Sequence, residues 1–365
     1  MANGDPAASA CASACACSPS PESVAPRSRP EVTTVGTKMT WRDRLGTLRV
    51  RMGIGRMDYR VRPGLYAVGQ PGPESPVLVS SNYKLSFDHL RRALPGRDAW
   101  VLVLDTHGIN VWCAAGKGLF GSDEVVRQVE AADLRSVVSH RKLVLPQLAA
   151  TGVAAHDVRR RTGFRVIYGP VRAADLPAFL EARMTATPGM RLVRYALRDR
   201  AVQIPVEVVT GAKYPAMAAA ALLLLGVAGP GGISLANAAA TGVPAAGLAV
   251  AAFLAATILG PLLLPWLPGR AFSLKGAALG LVLVCGLAAL GWPAAAFHAS
   301  WLRAAAWVLL IPAFTSFILM NFTGSSTFTS LSGVLREMRV AVPLQIAAVV
   351  VGLGLWIAGL YGGQA

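Results

Sequence analysis

The feature that most constrains this chain is the scarcity of charge in its second half. Residues 214–365 carry five basic side chains (Arg270, Lys275, Arg303, Arg336 and Arg339) and one acid, Glu337. Within them lie five apolar segments, near 215–233, 244–266, 274–294, 302–322 and 341–361. Each approaches the ~20 residues that a helix needs to cross the hydrocarbon core of a bilayer. Backbone polar groups inside a bilayer must be satisfied within their own segment. The expectation for 214–365 is therefore an all-α membrane domain of five transmembrane helices.

The connections between these segments give a direction. The first, "GPGGISLANAAATG", is uncharged. The second holds Arg270 and Lys275, the third His298 and Arg303, and the fourth Arg336 and Arg339. The tail "YGGQA" has no charged side chain. The even-numbered connections are the more basic, Arg303 of the third standing at a helix start, and the more basic connections stay on the cytoplasmic side of a cell inner membrane. That places the first half of the chain in the cytoplasm and the C-terminus outside. No acid falls within a span, which argues against a proton-driven pump or a cation channel. Thr315, Ser316 and Asn321 are the notable polar residues in the spans; they either form a site or hydrogen-bond helix to helix.

Residues 1–213 hold +12 of the chain's net charge of +16. With a membrane half following directly, an anionic leaflet accounts for this excess, and no nucleic-acid module accompanies it. Residues 1–40 are rich in Ala, Ser, Pro and Cys without periodicity and read as a disordered tail. They show no signal-peptide pattern. The tail's "CASACAC" (Cys11, Cys15, Cys17) either binds a soft metal or has no structural task. With Cys113 and Cys285 the cysteines number five, an odd count that does not suggest a disulfide framework. A folded cytoplasmic domain is expected over 41–200 and a linker over 201–213.

That domain alternates apolar runs with helical stretches. "PVLVSS" (76–81), "AWVLVLD" (99–105) and "FRVIYG" (164–169) read as buried strands. "SFDHLRRAL" (86–94), "SDEVVRQVEAADL" (122–134) and "RAADLPAFLEARM" (172–184) read as helices, with Ser86 and Ser122 as N-caps. The pattern predicts a Rossmann-like α/β domain built on a mostly parallel, doubly wound sheet. Ligands of such sheets sit beyond the carboxyl ends of the strands. "SSNYK" (80–84) and "THGINVWC" (106–113) both follow strand ends.

The stretch "GINVWCAAGK" carries the candidate chemistry. It is not a phosphate-binding P-loop, because Val111 and Gly118 stand where a glycine and a Ser or Thr are needed. His107, His140 and His156 belong to no cysteine-hydrolase signature, and a single cysteine makes a poor zinc site. What remains is one cysteine opening a short helix. Asn110 caps it and Cys113 falls at N3, where a thiolate is favoured. Ala114, Ala115 and Gly116 keep the surface low, and Trp112 adds an apolar wall. The arrangement suits a soft ligand aimed at a metal in a flat macrocycle; it also suits an inert cysteine buried in a tight turn.

Asn110-Val111-Trp112-Cys113-Ala114-Ala115-Gly116-Lys117 resembles, residue for residue, the signature of the corrinoid proteins of microbial mercury methylation (the HgcA family). "PVLVSSNYKLSFDHLRRAL", "LPQLAATGVAAHDVRRRTGFRVIYGPVRAADLPAFL" and the five-span half look like the same family, over roughly residues 60–365. The soluble part is also similar to the corrinoid-binding domain of the corrinoid iron–sulfur protein, which lacks the cysteine signature and the membrane half. The tail is not part of the likeness.

The resemblance implies a cobalamin or related corrinoid, base-off, with Cys113 as lower axial ligand of cobalt. A thiolate is a soft, strong donor that would help a methyl group leave toward Hg(II), forming methylmercury. It implies that Asn110, Trp112 and Lys117 orient the short helix. Ser80, Ser81 and Asn82, and also Gly169 and Pro170, would contact the corrin or its nucleotide tail. The chain has no four-cysteine ferredoxin pattern. Two partners are implied: a ferredoxin-like electron donor with two 4Fe–4S clusters, and a methyl-folate-linked methyltransferase. A corrinoid methyl carrier for another acceptor, and a ligand-binding membrane sensor or transporter, are the alternatives.

Overall fold

The structure, a computed structural model, describes residues 32–229, 232–291, 300–322 and 331–361. Cys11, Cys15, Cys17, His298 and residues 362–365 lie outside the described residues. The soluble half is built on six strands: β1 (Thr33–Val35), β2 (Gly64–Val68), β3 (Val77–Ser81), β4 (Ala99–Leu104), β5 (Lys142–Leu145) and β6 (Arg165–Tyr168). Its helices are α1 (Trp41–Arg51), α2 (Lys84–Arg92), α3 (Val111–Gly116), α4 (Ser122–Ala131), α5 (Leu134–Val137), α6 (Ala155–Thr162) and α7 (Leu176–Glu181).

The sheet order is β1-β2-β4-β3-β5-β6. Strands β4, β3, β5 and β6 are parallel; β2 runs antiparallel to β4. Both faces are covered, which is why β3 and β4 are nearly continuous apolar runs. Val77, Val79, Leu102 and Leu104 pack with Val125, Val129 and Val158 of α4 and α6. Their neighbours Leu78, Val101 and Val103 point the other way, onto Phe87 of α2 and Phe179 of α7. The chain leaves β3 for β4 on one side, then crosses back to β5 on the other. The carboxyl end of β3 is thus the switch point at which such sheets open a crevice.

Several boundaries differ from the sequence reading. Residues 33–35, expected in a disordered tail, pair in parallel with Tyr66–Val68. Ser86 is not an N-cap: α2 starts at Lys84, after Tyr83, with no side-chain cap. Nor is Ser122: Gly121 occupies that place, and the Ser122 hydroxyl instead accepts the Ala154 N–H at 2.9 Å. The helix expected over 172–184 is a 3₁₀ turn, Ala173–Asp175, followed by α7, with Pro177 in its first turn. The supposed linker 201–213 contains a helix, Ile204–Gly211.

In the second half, four described helices are long and apolar enough to cross a membrane: Leu235–Leu263, Phe272–Ala289, Trp301–Asn321 and Ser332–Tyr361. The first expected span, 215–233, is shorter. It is helical over Lys213–Gly226, bent by 45° from the helix before it, and is followed by Ala228–Gly229 paired antiparallel with Gly232–Ile233. A fifth crossing exists only if that bent pair counts as one.

Small residues set the helix crossings. A Cβ on Gly276 would lie 2.6 Å from the Thr315 carbonyl oxygen, and one on Gly280 would lie 2.7 Å from Pro312 Cα. The polar residues of the spans bond helices. The Thr315 hydroxyl lies 2.8 Å from the Gly276 carbonyl, and Ser316 accepts from Gln345 at 2.8 Å. Asn321 donates to the Phe317 carbonyl of its own helix at 2.9 Å. Thr315 and Ser316 thus hydrogen-bond helix to helix, and Asn321 bonds within its own helix. Lys275 satisfies the end of the preceding helix, its ammonium donating to the Leu264 carbonyl at 2.9 Å.

Candidate functional site

Cys113 lies beyond the carboxyl end of β4, on α3. Asn110 is extended at the N-cap and its Oδ1 accepts the Cys113 N–H at 3.0 Å. The same side chain's amide nitrogen lies 3.5 Å from Cys113 Sγ. One asparagine therefore satisfies the helix start and touches the thiol. Cys113 is a free, exposed cysteine. Cys113 is therefore not buried in the turn.

The rest of the signature divides by face. Trp112 and Lys117 are exposed beside the thiol, and Gly116 has open space where a side chain would stand. Ala114 and Ala115 are buried in the core and do not line the surface, contrary to expectation. They let α3 sit against the 3₁₀ turn Gln147–Thr151: a Cβ on Gly152 would lie 2.9 Å from the Ala115 carbonyl oxygen. Val111 is half-buried against the same core.

The loop that presents α3 is bracketed by Asn82. This side chain is 2 % exposed. Its Oδ1 accepts from the backbone N–H groups of Thr106 (3.1 Å) and Gly108 (2.9 Å) and lies 2.9 Å from the Thr106 hydroxyl. Its amide nitrogen donates to Asp105 at 2.9 Å. Glu124 accepts the Asp105 N–H at 2.7 Å from α4. His107 and Gly108 both take positive φ, 55° and 76°, which makes the sharp turn between β4 and α3. Asn82, expected to touch a cofactor, is thus spent on the loop. Asp105, Thr106 and Glu124 escaped the sequence reading, because only the fold brings them to Asn82.

Ser80 and Ser81 are buried at the end of β3. The Ser80 hydroxyl donates to the Ser81 carbonyl at 3.3 Å, while the Ser81 hydroxyl is buried with no partner. Gly169 and Pro170 are buried as well, at the end of β6. The Gly169 N–H donates to the Leu145 carbonyl at 2.8 Å, and a Cβ there would meet Val144 at 3.1 Å. These two residues close the sheet end rather than standing open to a ligand. The geometry thus offers an exposed, capped thiol on low ground, with an unsatisfied hydroxyl at the adjacent strand end.

Among the described residues, no group of three His, Cys, Asp or Glu converges on a common point. A metal at Cys113 would take one ligand from the protein and its others from a group that it brings with it. An exposed thiol beside an unfilled glycine surface fits such a group, a planar macrocycle in particular.

Residues 38–180 match the family model of the CO dehydrogenase/acetyl-CoA synthase delta subunit. Gamma subunits of the acetyl-CoA decarbonylase/synthase complex are similar over alignments of comparable length. That of Methanopyrus kandleri is 38 % identical over 128 residues, 34 % of this chain and 27 % of the relative. That of Archaeoglobus fulgidus is 34 % identical over 140 residues, 37 % of this chain and 29 % of the relative. The chain spans less than a third of the length of these relatives, and the segment matched by the family model ends before the apolar half begins.

Proposed function

We propose that this chain is a membrane-anchored, corrinoid-dependent methyltransferase, with Cys113 as the lower axial ligand of cobalt and Hg(II) as the methyl acceptor. The observation that carries the proposal is the exposed Cys113 thiol at N3 of α3, held by Asn110. The likeness of residues 38–180 to acetyl-CoA synthase subunits supports a corrinoid-binding domain there. When bound, the corrinoid supplies the methyl-transfer chemistry, delivering methyl in carbanion form to a soft electrophile.

The chain's own residues do the positioning. Asn110 orients the sulfur, and the amide hydrogen bond it accepts fixes the first turn of α3. Asn82, through Thr106 and Gly108, fixes the loop. Trp112 supplies an apolar edge that keeps water from the ligand side of the thiol. Ser81, buried and without a partner, has a hydroxyl free for a polar group of the cofactor. The electron donor is a ferredoxin-like protein with two 4Fe–4S clusters, and the methyl source a methyl-folate-linked methyltransferase. The soluble domain faces the cytoplasm, with the membrane half in the cell inner membrane and the C-terminus external. A reporter fused after the last residue would read as external; a cytoplasmic signal would refute that orientation.

The test uses the full chain, produced with a corrinoid supply and purified in detergent. The native protein should bind corrinoid with a thiolate-type cobalt spectrum and form methylmercury from Hg(II). Cys113→Ala should keep its fold and lose both. A native protein that binds no corrinoid, or a Cys113→Ala variant with full activity, would sink the proposal. The relatives' place in acetyl-CoA synthesis favours a second reading, a methyl carrier for another acceptor. That reading predicts the same spectrum with no methylmercury.

A further inference from the structure

Helix α1 presents an apolar stripe to solvent. Trp41, Leu45, Leu48 and Met52 follow each other at spacings of four, three and four, so they share one face. They are 68 %, 46 %, 57 % and 37 % exposed. Arg42 and Arg49 flank the stripe on one edge, Arg44 and Arg51 on the other. Ile54 and Met57 continue it, exposed, past the end of the helix.

The opposite face is locked to the domain. Val50 is buried, and Asp43 accepts from Lys84 at 2.6 Å and from Arg91 at 2.8 Å. The stripe therefore cannot turn inward. Beside its Arg44 and Arg51 edge opens a cavity of about 570 Å³ lined by Lys38, Thr47, His89 and Arg92 as well. Thr47 Oγ1 and Arg51 Nε are buried there without a partner. Asp88 also borders the cavity, but Lys84 and Arg91 engage its carboxylate. The lining is cationic.

The position of α1 names the occupant. Gly53, one residue past the helix cap, abuts Thr210 and Val206, its absent Cβ 3.3 Å and 3.7 Å from their methyl groups. Those residues belong to the helix Ile204–Gly211, which runs on into the apolar Lys213–Gly226. The stripe is thus continuous with the point where the chain enters the membrane half.

We propose that α1 lies in the headgroup layer of an anionic leaflet, its apolar stripe at the acyl boundary, and that the cationic cavity beside it receives an anionic phospholipid headgroup. Apolar burial and arginine–lipid attraction act together in such helices. The flanking arginines reach the phosphates while their stems cover apolar surface.

The experiment uses the full chain in nanodiscs of phosphatidylcholine, with or without phosphatidylglycerol, and with lipids brominated on the acyl chains. Subtracting the Trp41→Phe spectrum isolates Trp41. Bromolipid should quench most of its emission in the phosphatidylglycerol discs. The double variant Arg44→Glu/Arg51→Glu should lose most of that quenching, and so should high salt. Phosphatidylglycerol should also stay with the wild-type protein through detergent purification and be lost from Arg44→Glu/Arg92→Glu. A Trp41 unquenched in every disc would overturn the proposal; if its emission were also blue-shifted, the stripe would belong to a protein partner. Quenching indifferent to lipid charge and to both variants would overturn the anionic-lipid assignment. Displacement of the retained lipid by inorganic phosphate alone would overturn the headgroup assignment in favour of a free-phosphate site.

Discussion

Replacing Asn82 by Ala gives a test of how the thiol is presented. In the native chain Asn82 Oδ1 accepts two backbone N–H groups, those of Thr106 and Gly108, and both residues are buried. Truncation leaves both donors without that acceptor and also removes the bonds to the Thr106 hydroxyl and to Asp105. A buried donor left unsatisfied costs about 1–3 kcal/mol. Two such donors, partly relieved by water entering the vacated space, give about 3 kcal/mol for the loop. Since about 1.4 kcal/mol is a factor of ten, local opening should become roughly a hundredfold more frequent. In a chain with two such unlike halves, a single melting temperature is not a clean measure. Hydrogen exchange read peptide by peptide is. Amides of 105–117 should exchange about a hundredfold faster in Asn82→Ala while those of β4 and α4 change far less. Unchanged exchange over 105–117 would refute the bracket. Equal acceleration everywhere would show that Asn82 holds the sheet rather than the loop.

Asn110→Ala removes an N-cap and should cost about 1 kcal/mol locally, whereas Asn110→Ser, which can still cap, should cost less; corrinoid retained through gel filtration would rank native, then Ser, then Ala. Gly280→Leu should separate the 272–289 and 301–321 helices, because even a Cβ falls 2.7 Å from Pro312 Cα, and faster proteolysis of the detergent-solubilised protein would report it. The pH dependence of α1 follows from Asp43. Burial raises that carboxyl, but hydrogen bonds from Lys84, Thr40 and Arg91 outweigh it and hold it well below the usual carboxylate range. A depressed carboxylate stabilises the fold above its unfolded value, near 3.9, and loses that contribution as pH falls through its folded value. Cleavage within 41–57 should therefore stay constant from about pH 8 to pH 5 and rise only below about pH 4; a rise near neutral pH would contradict the network.

The parts legible in the sequence were those fixed by local chemistry. β3 and β4 announce themselves as apolar runs because both of their faces are covered. Asn110 and Cys113 stand three apart, and a cap needs no more than that spacing. What depends on distant partners was hidden. β1 is three residues long and is a strand only because β2 lies beside it. Ser122 has the side chain of a cap, yet Ala154 claims its hydroxyl. Ala114 and Ala115 read as low ground near the thiol, but one helical step past Cys113 turns them into the core. Asn82 misled most. A polar residue just past a strand end reads as a ligand contact until the fold shows which backbone donors reach it first.

One segment joins the two halves of the problem. Gly53 meets the helix that leads into the apolar half, and four residues later the Met57 carbonyl oxygen lies 2.8 Å from where a Cβ on Gly108 would stand. Gly108 is one of the two donors held by Asn82, in the turn that presents Cys113. The residues after α1 thus pack on the helix before the apolar half at one end and on the thiol loop at the other. Only a glycine fits at 108, both for its φ of 76° and for this approach. An α1 seated on a leaflet would therefore brace the loop that carries Cys113, and the thiol's orientation toward a ligand would be set partly from the membrane side.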